Sequence, residues 1–122
     1  MKQWLIKAGN TSVQDIPVYD KDGVLVANLA AATEIKFQIK EKRDEVTPKV
    51  EKTLISGIDV DTPSAGYLRI TLTPTDTGTT LSVREYFMAL QIKWSATEIY
   101  EIIIEIETEK TDRLRISQDV VQ

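Results

Sequence analysis

The sequence predicts an all-β domain, built as an antiparallel sandwich of seven to nine short strands. Apolar and polar residues alternate over many short segments, and this period of two is typical of half-buried strands. Turn residues recur about every 8 to 12 positions, which is the spacing of a sandwich or a barrel. Pro17 and Pro48 interrupt two extended segments and favour sheet edges, so the sandwich is the better prediction.

The longest alternating stretch, residues 86–107, predicts a central β-hairpin with a loop at residues 95–98. Its first strand places one apolar row inward, namely Tyr86, Met88, Leu90, Ile92 and Trp94. Its second strand has an inward row whose middle member is Ile104, which we expect at the centre of the core; the row is Tyr100, Ile102, Ile104 and Ile106. Residues 83–94 also fit helical spacing, so an amphipathic helix is the alternative for the first half.

Six further extended segments are predicted from the same alternation. They cover residues 3–7, 12–19, 34–40, 46–55, 66–73 and 113–117. Glu34–Lys40 alternates most regularly, with Ile35, Phe37 and Ile39 expected to face the core. Residues 74–78 contain a proline and a glycine and predict a compact turn or a single helical turn.

Chain length and charge limit the kinds of partner. The 122 residues predict one domain, residues 1–122. The 15 basic and 19 acidic residues give a net charge of −4 without a basic stripe, which argues against nucleic acid as a direct partner. No apolar stretch approaches the ~20 residues of a membrane helix, so no membrane partner is expected. Residues 1–4 lack the apolar run of a signal peptide.

The chain contains neither cysteine nor histidine. A Ser-His-Asp triad, a thiolate nucleophile and zinc sites built from histidine or cysteine are therefore excluded. We expect no catalytic residue, no cofactor and no metal site, and we do not expect the protein to be an enzyme.

An ordered set of turn and strand motifs runs through most of the chain. It consists of Gly9-Asn10-Thr11, the turn Asp20-Lys21-Asp22-Gly23 before Leu29, the strand 35–40, Gly57-Ile58-Asp59-Val60 before the strand 66–73, Pro74-Thr75-Asp76-Thr77, Tyr86 and the strand 90–93. In this order the motifs resemble the immunoglobulin-like domains of phage tail and baseplate proteins, of the type found at the N-terminus of the phage baseplate upper protein. The resemblance implies an immunoglobulin-like sandwich and a structural virion component, synthesised and assembled in the bacterial cytoplasm. The implied partners are other virion proteins or copies of the chain itself, as a homo-oligomer.

The resemblance also implies the tyrosine corner of immunoglobulin folds. Leu72, Asp76 and Tyr86 match its residues, and the Tyr86 hydroxyl is expected to bond backbone near Asp76. Two features depart from the pattern. Arg84 stands where many such domains have a glycine, and the segment 76–84 is longer than expected.

Two acidic turns allow a metal-binding interpretation beside a simpler one. The turn at residues 20–23 could begin a calcium loop, but position 12 of an EF-hand would be Ala31, which has no oxygen ligand in its side chain. A plain turn is therefore favoured. Asp59, Asp61 and Thr62 are favoured as a solvated loop over an oxygen-ligand cluster.

Three glutamates, Glu101, Glu105 and Glu107, fall on one face of the predicted second hairpin strand. Alternate residues on a strand are ~6.6 Å apart, so a carboxylate pair at glycosidase spacing is conceivable. The favoured interpretation is a solvated face whose carboxylates pair across strands with lysines such as Lys93.

Trp4, Phe87 and Ile103 are the candidate interface residues. Phe87 and Ile103 lie opposite the main apolar rows of their strands. They form a patch for another subunit, or else they belong to strands buried partly on both sides or are isolated surface apolar residues. A sugar-binding platform of Trp4, Trp94 and the tyrosines is a third interpretation. The sequence thus favours a structural virion protein, with a carbohydrate- or surface-binding module as the alternative, because one sandwich fold hosts many functions.

Overall fold

The computed structural model describes residues 3–106 and 108–118. Half of the residues lie in strands and 9% in helices, which confirms the all-β prediction. The strands are β1 (Trp4–Lys7), β2 (Ser12–Pro17), β3 (Glu34–Lys40), β4 (Val50–Leu54), β5 (Gly57–Asp59), β6 (Tyr67–Leu72), β7 (Arg84–Lys93), β8 (Ile99–Ile102), β9 (Glu105–Ile106), β10 (Glu109–Lys110) and β11 (Arg113–Ser117). A 3-10 turn covers Leu29–Ala31 and a single π-helical turn covers Asp76–Thr80.

The helical alternative for residues 83–94 is wrong, because Arg84–Lys93 is a ten-residue strand. Its alternate residues Tyr86, Met88, Leu90 and Ile92 are all buried, as the period of two predicted. The hairpin with β8 is confirmed, since Leu90 lies opposite Ile102 and Lys93 lies opposite Ile99.

Among the described residues, nine strands form one large mixed sheet in the order β1-β11-β7-β3-β4-β5-β6-β2, with β8 as an additional neighbour of β7. The expected fully antiparallel arrangement is wrong for two pairs, since β1 runs parallel to β11 and β4 runs parallel to β5. The backbone takes positive φ at Ile55 (75°), between β4 and β5, and at Gly57 (102°), the first residue of β5. These angles displace the chain sideways without reversing it, so β5 keeps the direction of β4.

The sheet curves until it is close to a barrel. Its two ends are β1 and β2, which follow each other in the chain and are linked by the short turn 8–11. The Trp4 indole N–H donates to the Ser12 hydroxyl across this gap, with N···O 3.0 Å. Pro17 ends β2, which is an edge strand as the proline predicted, whereas Pro48 lies just outside β4.

One hydrophobic cluster fills the interior. The inward row of β3 is buried as predicted, and Ile104 is 2% exposed, which confirms its predicted place in the core. Inward residues of β6 and β11 belong to the same cluster; they are Leu68, Ile70, Leu72, Leu114 and Ile116.

The second strand of the predicted hairpin is interrupted after Ile102. The described residues of the segment 103–111, which we call the excursion, lie outside the large sheet. Within it β9 and β10 pair antiparallel, and the Thr111 N–H donates to the Ile104 carbonyl at 2.8 Å. The chain then returns to β7, where the Met88 N–H donates to the Asp112 carbonyl. Ile104 and Ile106 are buried in this excursion rather than in a continuous strand.

Candidate assembly surface at the edge of β8

Trp4, predicted at an interface, is 4% exposed and belongs to the core. Its ring centre lies 6.2 Å from that of Phe37, and its indole N–H is satisfied by Ser12. The interface expectation for Trp4 is therefore wrong, because the curvature of the sheet covers the β1 side chains that face inward.

Phe87 is half-buried under two arginines of its own chain. The Arg43 guanidinium carbon lies 4.4 Å from the ring centre and that of Arg113 lies 5.8 Å away. Each arginine is anchored by a carboxylate, Arg43 by Asp112 at 2.7 Å and Arg113 by Glu85 at 2.9 Å. Such cation–π contacts cover the ring, so Phe87 offers less free apolar surface than the sequence suggested.

Ile103, the third predicted interface residue, is 66% exposed at the start of the excursion. Two residues of β8 that the sequence did not predict at an interface are also exposed, Ile99 with 46% and Tyr100 with 52% of their surface. Tyr100 was expected inward, and it lies opposite the buried Ile92, but the core does not extend far enough to cover it. These three residues, with β8 itself, form the surface that we call the β8 edge.

The β8 edge has no strand on its outer side within the described part of the chain, since β8 pairs with β7 alone. β1 covers the edge of β11 from Leu114 onward and does not reach the level of β8. Strands with an unpaired edge and exposed apolar side chains are natural sites for pairing with another chain. The combination therefore points to a surface for protein–protein contact.

The chain segment that contains β8 is acidic. Residues 98–110 contain five glutamates and one lysine. Of the four glutamates that the structure describes, none forms an ion pair with another described residue; they are Glu98, Glu101, Glu105 and Glu109.

The predicted glutamate row is wrong in its geometry, because Glu101 lies on β8 and Glu105 on β9. Glu107 lies outside the described residues. Glu101 lies opposite Gln91, and Ile99 lies opposite Lys93. No glutamate of β8 is therefore directly opposite Lys93, where the cross-strand pairing was expected.

The Tyr86 hydroxyl bonds backbone upstream, as expected for a corner, but its partner is not near Asp76. It accepts the Ser82 amide N–H at 2.9 Å and lies 3.1 Å from the Ser82 hydroxyl oxygen. The π-helical turn separates Asp76 from Ser82, and this turn explains the long segment noted in the sequence. Leu72 is fully buried at the end of β6.

Asp76 closes the turn after β6 and reaches across to β4. Its carboxylate accepts the Thr73 amide N–H at 2.9 Å and pairs with the Lys52 ammonium at 2.7 Å. Partial burial alone would raise the pKa of Asp76, but the hydrogen bonds from Lys52 and Thr73 hold that pKa below its usual value. Asp76 thus joins two segments of the sheet, a role that its turn motif alone did not reveal.

The two acidic turns have the geometry of ordinary turns. The Asp20 carboxylate accepts the amide N–H groups of Asp22 and Val24, and the Asp59 carboxylate accepts that of Asp61. No group of three or more acidic side chains suited to a metal ion occurs among the described residues. In the same part of the chain, no helix is long and apolar enough to span a membrane.

A shallow groove of about 260 Å³ lies on the outer face of β3, β7 and β8. Its lining is mainly polar and consists of Lys36, Gln38, Lys40, Ala89, Leu90, Gln91 and Glu101. Comparison of the chain with protein-family models, with curated proteins and with solved structures finds no match.

Proposed function

We propose that this chain is an immunoglobulin-like β-sandwich that serves as a structural component of a phage or prophage tail or baseplate. It acts through assembly with other virion proteins or with copies of itself, after synthesis in the bacterial cytoplasm. The observation that carries the proposal is the β8 edge, where Ile99, Tyr100 and Ile103 remain exposed beside an unpaired strand.

Strand order supports the immunoglobulin-like part of the proposal. The series β11-β7-β3-β4 corresponds to the G-F-C-C′ order of a variable-type sheet, and β5-β6-β2 corresponds to D-E-B of the facing sheet. Tyr86 then lies on the strand that carries the tyrosine corner, and its hydroxyl bonds backbone four residues upstream. The short parallel contact between β4 and β5 links the two halves at one side.

Exposed apolar surface supports the assembly part. Single exposed apolar residues are common on monomers, but here three lie within five positions of the chain, and two of them belong to a strand with an open edge. Virion proteins work in symmetric arrays, which need surfaces of this kind. The lack of histidine and cysteine makes an enzymatic role less suitable for this chain.

The decisive experiment is mass spectrometry of purified particles released from cells that carry the encoding element. We expect the chain in the particles at a stoichiometry that matches a ring or fibre. Cross-linking within the particles should map contacts to the β8 edge. Absence of the chain from particles that the element demonstrably produces would overturn the proposal.

The outer groove favours a carbohydrate-binding module as the second candidate. Gln91 offers an amide group to sugar hydroxyls and Lys40 offers a further donor, whereas the Gln38 amide donates to Glu51 and Lys36 pairs with Glu34. A glycan array with the wild-type chain and with Gln91→Ala tests this candidate. Binding of a defined glycan that is lost in Gln91→Ala would support it, and the absence of any bound glycan would remove it.

A further inference from the structure

We infer that the β8 edge is the docking site for an extended segment of a partner protein in which basic residues alternate with apolar ones. The segment adds to the sheet as a further strand beside β8. This inference rests on the proposed assembly function and specifies its partner by the chemistry of the edge.

The backbone of β8 is set to accept a strand. The Trp94 N–H donates to the Glu98 carbonyl at 2.8 Å, and bonded pairs alternate along an antiparallel ladder. Tyr100 and Ile102 therefore direct their N–H and C=O groups to β7. Ile99 and Glu101 direct theirs to the open side, where an added strand can pair with them.

The side chains of β8 define what the added strand must carry. Ile99 and Glu101 face the outer surface, and Tyr100 and Ile102 face the interior side. A neighbouring strand places one row of its side chains beside Glu101 and the other row over Tyr100. A basic residue suits the first row and an apolar residue suits the second, so the partner pattern is an alternation of the two.

Charge favours a basic partner over a second copy of this chain. An antiparallel pair of two β8 strands would place their Glu101 carboxylates opposite or diagonal to each other, where like charges are destabilising. Glu98, directly before β8, carries a further negative charge at this edge. A basic strand converts the same carboxylates into cross-strand ion pairs.

The test is a titration of the ¹⁵N-labelled chain with a capped eight-residue peptide of alternating lysine and valine, followed by NMR. We expect saturable shifts and slower hydrogen exchange at the Ile99 and Glu101 amides. A peptide of alternating glutamate and valine should bind at least about tenfold more weakly, since it reverses every charge pair. A peptide of alternating lysine and glycine carries the same charge, but glycine is a poor strand former. This peptide should also bind at least about tenfold more weakly.

Two variants probe the edge itself. Glu101→Lys should weaken the lysine–valine peptide at least about tenfold, while Asp61→Lys, the same charge change at an exposed position distant in the sheet order, should change it less than about twofold. Ile99→Pro removes an N–H from the open side without removing a bond to β7, so binding should be lost while the fold is kept. If Ile99→Pro does not fold, the comparison of Glu101→Lys with Asp61→Lys tests the docking site.

Several outcomes would overturn the inference. These are shifts that map away from β8, equal binding of the lysine–glycine peptide, or dimerisation of the chain through β8 without peptide. Such a result leaves the virion proposal intact if the chain is still found in particles. Conversely, specific peptide binding with absence from particles would uphold the docking site and remove the proposed function.

Discussion

The amide nitrogen of Met88 lies 2.6 Å from the carbonyl oxygen of Asp112, two residues along β7 from the pair of Leu90 and Ile102. The register along β7 is therefore unbroken, although nine residues, 103–111, separate Ile102 from Asp112 in the sequence. β8 and β11 pair with successive parts of the same edge of β7, one after the other. The excursion occupies the place of a single residue opposite Ala89.

The excursion persists because it buries apolar surface. Ile104 and Ile106 are buried, and the buried Thr111 donates its amide N–H to the Ile104 carbonyl. β9 lies beside β2, the strand at one end of the sheet. Each fully buried isoleucine contributes about 1.5–3 kcal/mol of transfer free energy, which offsets the ordering of a short hairpin.

Ile104→Ala should lower the free energy of unfolding by about 2–5 kcal/mol, because it leaves a cavity in the core. Ile103→Ala is the matched control and should change it by less than about 0.5 kcal/mol, because Ile103 is exposed. Urea unfolding of both variants checks the prediction. A larger loss for Ile103 than for Ile104 would place the wrong face of the excursion inward.

Most strands could be predicted because alternation is a local signal. Glu34–Lys40 and Arg113–Ser117 were predicted with their observed bounds, and β6 and β7 lie within two residues of prediction at each end. The inward rows followed from the same signal, since side chains on a strand alternate between its faces. The break after Ile102 could not be predicted, because the isoleucines on both sides of it keep one continuous period of two.

The non-local features could not be predicted from the sequence for a different reason. The parallel pairing of β1 with β11 joins the two ends of the chain, and no short-range pattern records it. The burial of Trp4 depends on that pairing and on Phe37 of β3. The open side of β8 likewise depends on which strands pair with one another, so only Ile103 of the candidate surface was predicted.

Tyr86→Phe should lower the free energy of unfolding by about 0.5–1.5 kcal/mol, because the Ser82 amide loses its acceptor but lies close enough to solvent to be hydrated. Ser82→Ala keeps the amide bond and removes only the hydroxyl contact, so it should cost less. Thermal unfolding of the two variants checks the order. An equal or larger loss for Ser82→Ala would mean that the hydroxyl contact, and not the backbone bond, stabilises the corner.

Phe87→Leu should lower stability without changing the oligomeric state. The leucine keeps apolar volume but loses the ring faces that Arg43 and Arg113 cover. Val83→Ala, at an exposed position before β7, should lower stability less than Phe87→Leu. Urea unfolding and light scattering measure the two quantities. A loss of association in Phe87→Leu with unchanged stability would show that Phe87 belongs to an interface between chains.

Asp76→Asn should lower the free energy of unfolding at pH 7 by about 1.5–3 kcal/mol, because the ion pair with Lys52 is partly buried and the side chains are only 14% and 16% exposed. The pKa of Asp76 in the folded chain is below the ordinary 3.8, so the ionised carboxylate stabilises the fold above that value. This contribution is lost as the pH falls from near 3.8 through the lower folded pKa. The stability difference between wild type and Asp76→Asn should therefore be constant above about pH 5 and shrink in stronger acid.

Urea unfolding from pH 7 to pH 2.5 measures this difference. Asp61→Asn is the control, because it removes an exposed carboxylate that forms no ion pair with the described residues. A difference that stays constant down to pH 2.5 would show that the charge on Asp76 does not stabilise the fold.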